Sequence, residues 1–319
     1  MRDRLARSRD DLRPFVARRS RRARDRKPAE APPVTVESST MNEPRVTIPT
    51  ERLGVCSWSL RPTAAEELVE SSLRLGLPKI QLALGPVLED PEAFGDVMPR
   101  LRDSGVRIAS GMLEAVGEDY STLETIKATG GVRPDEHWPA TLARARAVAT
   151  LAGEEGITLV TLHAGFIPHD PGDPARAVVL ERLRTLADLF AEHGVRVGLE
   201  TGQETAATLL DALAELDHGN VGVNFDPANM ILYGMGDPVE SLRLLADHVV
   251  QVHAKDATPS RTPGSWGDEV PLGTGAVDWD AFLAIVATLD PALDVVIERE
   301  AGEARESDIL AARRRLTGA

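Results

Sequence analysis

The sequence predicts an α/β fold, a (β/α)8 TIM barrel, on three observations. Eight short β-branched runs alternate with amphipathic segments, those segments open with helix-start signals, and the C-terminal ends of the later runs collect ionisable residues in apolar surroundings. A chain of 319 residues accommodates one such domain, since these barrels run to about 250 residues. A doubly wound open sheet is the alternative. No Gly-x-Gly-x-x-Gly follows the first run, and the nearest glycine cluster, Gly273-Thr-Gly275, comes late.

In chain order the expected strands are Leu53–Trp58, Lys79–Leu84, Val106–Ser110, Ile157–His163, Val195–Glu200, Val221–Asp226, Val249–His253 and Asp294–Glu298. Their starts lie 26, 27, 51, 38, 26, 28 and 45 residues apart, so most gaps hold one βα unit and the two longest leave extended loops after strands three and seven. Thr63-Ala-Ala-Glu66 reads as a capping box ahead of Leu68 and Val69. Asp90-Pro91 and Asp237-Pro238 put an acceptor at the N-cap and proline at the first helical position, and Asp278 caps the last full helix through Trp279 and Phe282.

The barrel is expected over residues 46–319, behind a disordered Arg-rich N-terminal extension over 1–45. Residues 1–28 hold eleven Arg and Lys27 against Asp3, Asp10, Asp11 and Asp25, a balance of +8, and the Pro-, Ala-, Ser- and Glu-rich stretch behind them has little to bury. Arg18-Arg19 is half of a twin-arginine signal, but Ser20-Arg21-Arg22-Ala23-Arg24 stands where an apolar region belongs, so export is not expected. Met41 starts the foldable sequence. The head reads as a mis-assigned start or a dispensable tail, with a basic RNA or membrane tether as the alternative.

With a whole-chain charge of −14, the remaining 291 residues carry −22, which repels phosphate backbones and argues against nucleic acid as a partner. No apolar run approaches the ~20 residues of a membrane span. The single Cys56 excludes a disulfide framework and a multi-cysteine zinc site and fits a cytoplasmic location. Oligomeric state is not legible, and a homo-oligomer stays open.

A barrel enzyme does its chemistry at the C-terminal ends of its strands. Strands four to eight end here in His163, Glu200, Asp226, His253 and Glu298. A buried, unpaired carboxylate is costly, so this series calls for a compensating positive charge. Strand alternation puts Glu200 on one face with Gly198, Asp226 with Asn224 and Gly222, His253 with Gln251, and Glu298 with Val296. Three carboxylates and an imidazole near one axis make a divalent-cation site whose donors suit Mn2+, Mg2+ or Co2+, with Zn2+ also admissible. The competing reading makes them loop residues in caps and surface ion pairs.

Gly-Leu-Glu200-Thr, Asn-Phe-Asp226-Pro-Ala-Asn229, Val-His253-Ala-Lys255-Asp256 and Val-Ile-Glu298-Arg-Glu300 resemble the strand-five to strand-eight motifs of the xylose isomerase-like barrel superfamily. More narrowly, they resemble its sugar phosphate isomerase/epimerase branch, from Leu53 to about Gly302. The resemblance implies one divalent metal held by Glu200, Asp226, His253 and Glu298, with Glu200 and Glu298 as catalytic acid and base. Asn229 stands where epimerases of the branch often carry a histidine, a departure from the ketose 3-epimerase pattern. Arg261 is a loose match to their substrate arginine.

Each further substrate-binding candidate has a plainer alternative. His163 binds a hydroxyl or is a satisfied core histidine, Lys255 polarises a carbonyl or pairs with Asp256 or Glu300, and Trp58 walls the pocket or only packs. Tyr120 and Trp138 read as a lid or a surface excursion, and Glu114 to Asp119 as a solvated loop. His137, His169, His193, His218 and His248 receive no role. The implied activity is a metal-dependent isomerase or epimerase of a small sugar, ketose or hydroxy-keto acid, working by proton transfer through a metal-bound enediolate. The alternative is a dehydratase of a cyclic keto-polyol such as an inosose, and a non-catalytic sugar- or metal-binding barrel is a different class again. The superfamily's endonuclease branch is disfavoured by the acidic body and the scarcity of histidines at strand ends. The expected partner is a small sugar or keto-polyol, favoured unphosphorylated, although Arg261 and the amides of Gly273-Thr-Gly275 offer a phosphate cradle.

Overall fold

The computed structural model describes residues 46–319 apart from Pro263, so the expected extension over 1–45 lies outside the described residues. Runs rich in Val, Ile and Leu, buried on both faces, form parallel strands, because helices on the outside and packed side chains within exclude water from both. In chain order the strands are β1 (Leu53–Cys56), β2 (Lys79–Ala83), β3 (Arg107–Met112), β4 (Leu159–Leu162), β5 (Arg196–Glu200), β6 (Val221–Phe225), β7 (Val249–Ala254), β8 (Asp256–Thr258), β9 (Asp268–Val270) and β10 (Asp294–Ile297). Seven of the eight barrel strands are β1 to β7 in order. The eighth is β10, which closes the ring between β7 and β1 with Val55 opposite Ile297.

Helices cover the outside. In Trp138–Glu155 the buried residues Ala145, Val148, Ala149 and Ala152, and in Pro174–Glu192 Val179, Leu183, Leu186 and Phe190, recur three or four positions apart, which presents one apolar stripe to the barrel. Asp90, Asp237 and Asp278 cap as expected, each carboxylate accepting from a backbone amide of the first turn. Two helix-start expectations are corrected. Helix Ala65–Leu75 begins one residue later than the Thr63 box requires, so Glu67 rather than Glu66 reaches back, accepting from Thr63 N and Oγ1 at 2.8 Å. The helix capped by Asp278 is not the last, since Arg305–Thr317 follows β10 and buries Ile309, Ala312 and Leu316.

The two long gaps hold structure of their own. After β3 the chain forms helix Leu123–Thr129 before Trp138–Glu155. After β7 it turns into the antiparallel β8–β9 hairpin, with Ala257 opposite Glu269. The barrel lumen is unusually polar: Gln81, Thr161, Asn224 and Gln251 are wholly buried there. They bond to one another, with Gln81 Nε2 donating to Thr161 Oγ1 at 2.7 Å and Gln251 Nε2 to Gln81 Oε1 at 3.0 Å. No helix among the described residues is long and apolar enough to cross a membrane.

Candidate active site

Four strand ends bring Glu200, Asp226, His253 and Glu298 together, with one ligand atom from each within 4.8 Å of all the others. All four residues are buried. His253 Nδ1 lies 3.1 Å from Glu298 Oε2, 3.5 Å from Glu200 Oε1 and 3.6 Å from Asp226 Oδ2. Each carboxylate is aimed by its other contacts. Asp226 Oδ1 accepts the amides of Ala228 and Asn229 at 2.7 and 3.0 Å, as the cap of helix Pro227–Leu232, which leaves Oδ2 for the centre. Glu298 Oε1 accepts the Trp58 indole at 2.6 Å, and Glu200 accepts Asn229 Nδ2 on Oε1 at 3.0 Å and Asn224 Nδ2 on Oε2 at 3.2 Å.

His253 is oriented from below. Its Nε2 donates to Gln81 Oε1 at 2.7 Å, which puts a proton on Nε2 and turns Nδ1 toward the carboxylates. Asp226 Oδ2, His253 Nδ1 and Glu298 Oε2 are buried without a hydrogen-bond partner. A cation bound among these three atoms would satisfy all of them at once. The donor set fits a divalent metal, which Glu200, Asp226, His253 and Glu298 would hold.

Electrostatics follow the same geometry. Burial pushes the Asp226 carboxyl up to about 6, outweighing Lys255 and His253. Burial also raises Glu298, but Lys255 and then His253 overcome it and hold the carboxyl well below the usual range. Burial lowers His253, yet the carboxylates, Glu200 foremost, hold the imidazole well above its ordinary value, so a proton supplies the positive charge when no cation does.

Above these residues opens a cavity of about 860 Å³. Trp58, His163, Asn229 and Lys255 line it. His163 Nε2 lies 3.7 Å from Glu200 Oε1, and Lys255 Nζ donates to Glu300 Oε2 at 2.5 Å and sits 3.1 Å from Glu298 Oε2. Lys255 is thus turned into the site. Its neighbour Asp256 faces away and accepts Gly273 N, Gly275 N and Trp279 Nε1 on Oδ2 at 2.8, 3.1 and 2.9 Å. The Gly273 and Gly275 amides, offered above as a phosphate cradle, are therefore occupied by a carboxylate of the same chain. Arg261 is exposed in the loop between β8 and β9 and is not among the residues lining the cavity.

Two expectations for the segment after β3 change. Tyr120 lines the cavity, whereas Trp138 starts a helix and packs under Arg182, whose guanidinium carbon lies 5.2 Å from the ring centroid. The Glu114–Asp119 run is not merely solvated. Glu114, Gly117 and Glu118 line the cavity, Glu118 Oε1 accepts Gly131 N at 2.8 Å, and burial raises the Glu118 carboxyl. Sequence reasoning also passed over Tyr233, Trp266 and Gln81. Only Gln81 carried a signal, as the sole polar residue of Ile80-Gln-Leu-Ala83.

Comparison with known proteins gives the same architecture. The family described as "Xylose isomerase-like TIM barrel" matches residues 92–317. A curated relative, 3-dehydroshikimate dehydratase of Bacillus anthracis, is 27% identical over 159 residues, 45% of this chain and 52% of that protein, so the chain spans about half the length of the relative it matches. Among solved structures, a xylose isomerase domain protein from Planctomyces limnophilus is 33% identical with a TM-score of 0.73, covering 78% of this chain and 91% of that one. The E. coli 3-keto-D-glucoside 4-epimerase YcjR shares the fold at 17% identity and a TM-score of 0.64, covering 84% and 99%.

Proposed function

Because the chain belongs to the xylose isomerase-like TIM barrel family, we propose that it is a divalent-metal-dependent isomerase or epimerase acting on the carbon next to a sugar carbonyl. The observation that carries this reading is the convergence of three buried ligand atoms that lack a hydrogen bond, beneath a cavity with a glutamate on either side of them, Glu200 from β5 and Glu298 after β10. A cation bound by Glu200, Asp226, His253 and Glu298 would supply electrophilic stabilisation to the carbonyl and its neighbouring hydroxyl. Proton transfer falls to the side chains. Glu298, ionised beside Lys255 and His253, lines the cavity and is placed to take the α-proton, while Glu200, which also lines it, is placed to exchange the proton on its own side. Lys255 stands within reach of the oxygen on which negative charge develops, and His163 and Asn229 are placed to bind hydroxyls.

The dehydratase reading has the Bacillus anthracis relative in its favour, and it shares the first proton abstraction. It differs at the second step, where a β-hydroxyl leaves with a proton from His163 or Lys255. Turnover in D2O tests both. Deuterium at the carbon next to the carbonyl, with the substrate skeleton intact, supports isomerisation or epimerisation; loss of water supports the alternative; an isomerised or epimerised product without solvent deuterium overturns proton transfer.

A further inference from the structure

The cavity has a composition that the proposed proton transfer does not require. Seven carboxylates line it against two cations, Lys255 and Arg144. Neither cation is free: Lys255 pairs with Glu298 and Glu300, and Arg144 pairs with Glu89 and donates to Glu114 O at 3.1 Å. Even with a divalent cation in place the lining stays net negative. The two features that would hold an anion are missing from the cavity, since Arg261 lies outside it and the Gly273 and Gly275 amides are taken by Asp256. Meanwhile Trp58, Trp266, Tyr120 and Tyr233, drawn from only four Trp and two Tyr in the chain, all face this one space. Tyr233 packs edge-on to Trp266 with centroids 4.8 Å apart and to Phe166 at 5.7 Å, forming a fixed wall.

Resting on the isomerase or epimerase reading, we infer that the substrate is an uncharged, hydroxyl-rich ring ketone, and that the cavity rejects ketones bearing a carboxylate or phosphate. Aromatic faces meet the C–H face of a ring, and carboxylates accept its hydroxyls. Glu118 is placed to do so from the loop after β3, where Gly131 N fixes one of its oxygens. An anionic group entering here meets like charge, and no side-chain cation of the lining is unpaired to receive it, so discrimination comes from repulsion as much as from attraction.

The test compares matched ketones on the metal-replete full-length protein, with binding read by saturation-transfer NMR and chemistry by solvent deuterium exchange. An inosose is set against its monophosphate, and the same inosose against 3-dehydroshikimate. The neutral member of each pair is expected to bind about 100-fold more tightly, the scale on which like-charge juxtaposition discriminates. Asp268→Lys, which places a cation at an exposed position of the cavity wall on β9, is expected to narrow that ratio about tenfold. Equal or tighter binding of the anionic members, no binding of any neutral ketone, or no effect of Asp268→Lys on the ratio overturns the inference. Deuterium exchange confined to an anionic ketone overturns it while leaving the proton-transfer reading standing; neutral ketones that bind without exchanging do the reverse.

Discussion

Glu298 divides its two oxygens between structure and chemistry: Oε1 takes the Trp58 indole, and Oε2 faces His253 and Lys255 without a hydrogen bond. Glu298→Gln keeps the size and one oxygen donor but removes the base. We expect kcat to fall by more than about 10²-fold in protein that still unfolds cooperatively and still binds metal, and near-normal turnover by the metal-replete Glu298→Gln variant would refute the role. A different carboxylate tests the electrostatics of burial. Glu204 is 2% exposed with no partner among the described residues, and desolvation alone pushes its carboxyl up to about 8. A folded-state value above the unfolded one means stability that is fully present below the ordinary carboxyl pKa and lost as pH rises through about 8. Glu204→Gln should therefore leave stability unchanged in acid and raise it by roughly 5 kcal/mol near pH 9; urea unfolding at both pH values reads this, and parallel pH profiles for the two proteins would contradict it. The convergence of Glu200, Asp226 and Glu298 was legible in sequence because each closes an apolar strand. Glu204 was not, because it lies in a loop and its burial depends on neighbours remote in the chain.

At the scale of elements, the eight runs of β-branched residues were readable to within a residue or two, since parallel strands buried on both faces leave an uninterrupted apolar signature. The β8–β9 hairpin was not. Its strands are three residues each, and their pairing is secured by side chains rather than by pattern. Asp256 binds the loop beyond β9 through Gly273, Gly275, Val277 and Trp279, and Glu269 binds the loop after β10 through Arg299 and the amides of Glu300 and Ala301. Gly275 is obligatory, because an added Cβ would fall 2.1 Å from Asp256 Oδ1. Asp256→Ala removes a charged acceptor from several buried donors at once and should cost on the order of 3 kcal/mol or more. Because that loop carries neither metal ligand nor base, the variant should lose stability in denaturant melts without losing the deuterium-exchange reaction at low temperature. An unchanged melt would show that the hairpin holds itself.

For the molecule as a whole, the acidic charge of the chain and the carboxylate-lined cavity point the same way, toward accumulation of cations and exclusion of anions. A cation that joins Glu200, Asp226, His253 and Glu298 binds only the folded state, since four strand ends must come together to make the site. Stability must then rise with free metal, by about 2.7 kcal/mol at a hundredfold excess over Kd, or roughly 5–10 °C in Tm for a domain of this size. We expect chelator-treated protein to melt lower and to recover on titration with Mn2+, Mg2+, Co2+ or Zn2+. The recovery should grow as pH rises from 6 to 8, because a proton held on His253 by its carboxylate neighbours competes with the cation for Nδ1. Asp226→Asn withdraws a charged ligand but keeps an oxygen on the helix cap, so it should melt normally without metal and respond weakly to it. Scanning calorimetry with and without metal separates the outcomes: a Tm indifferent to all four cations in the wild-type protein, or an Asp226→Asn variant that responds as the wild type does, would remove the metal from the site.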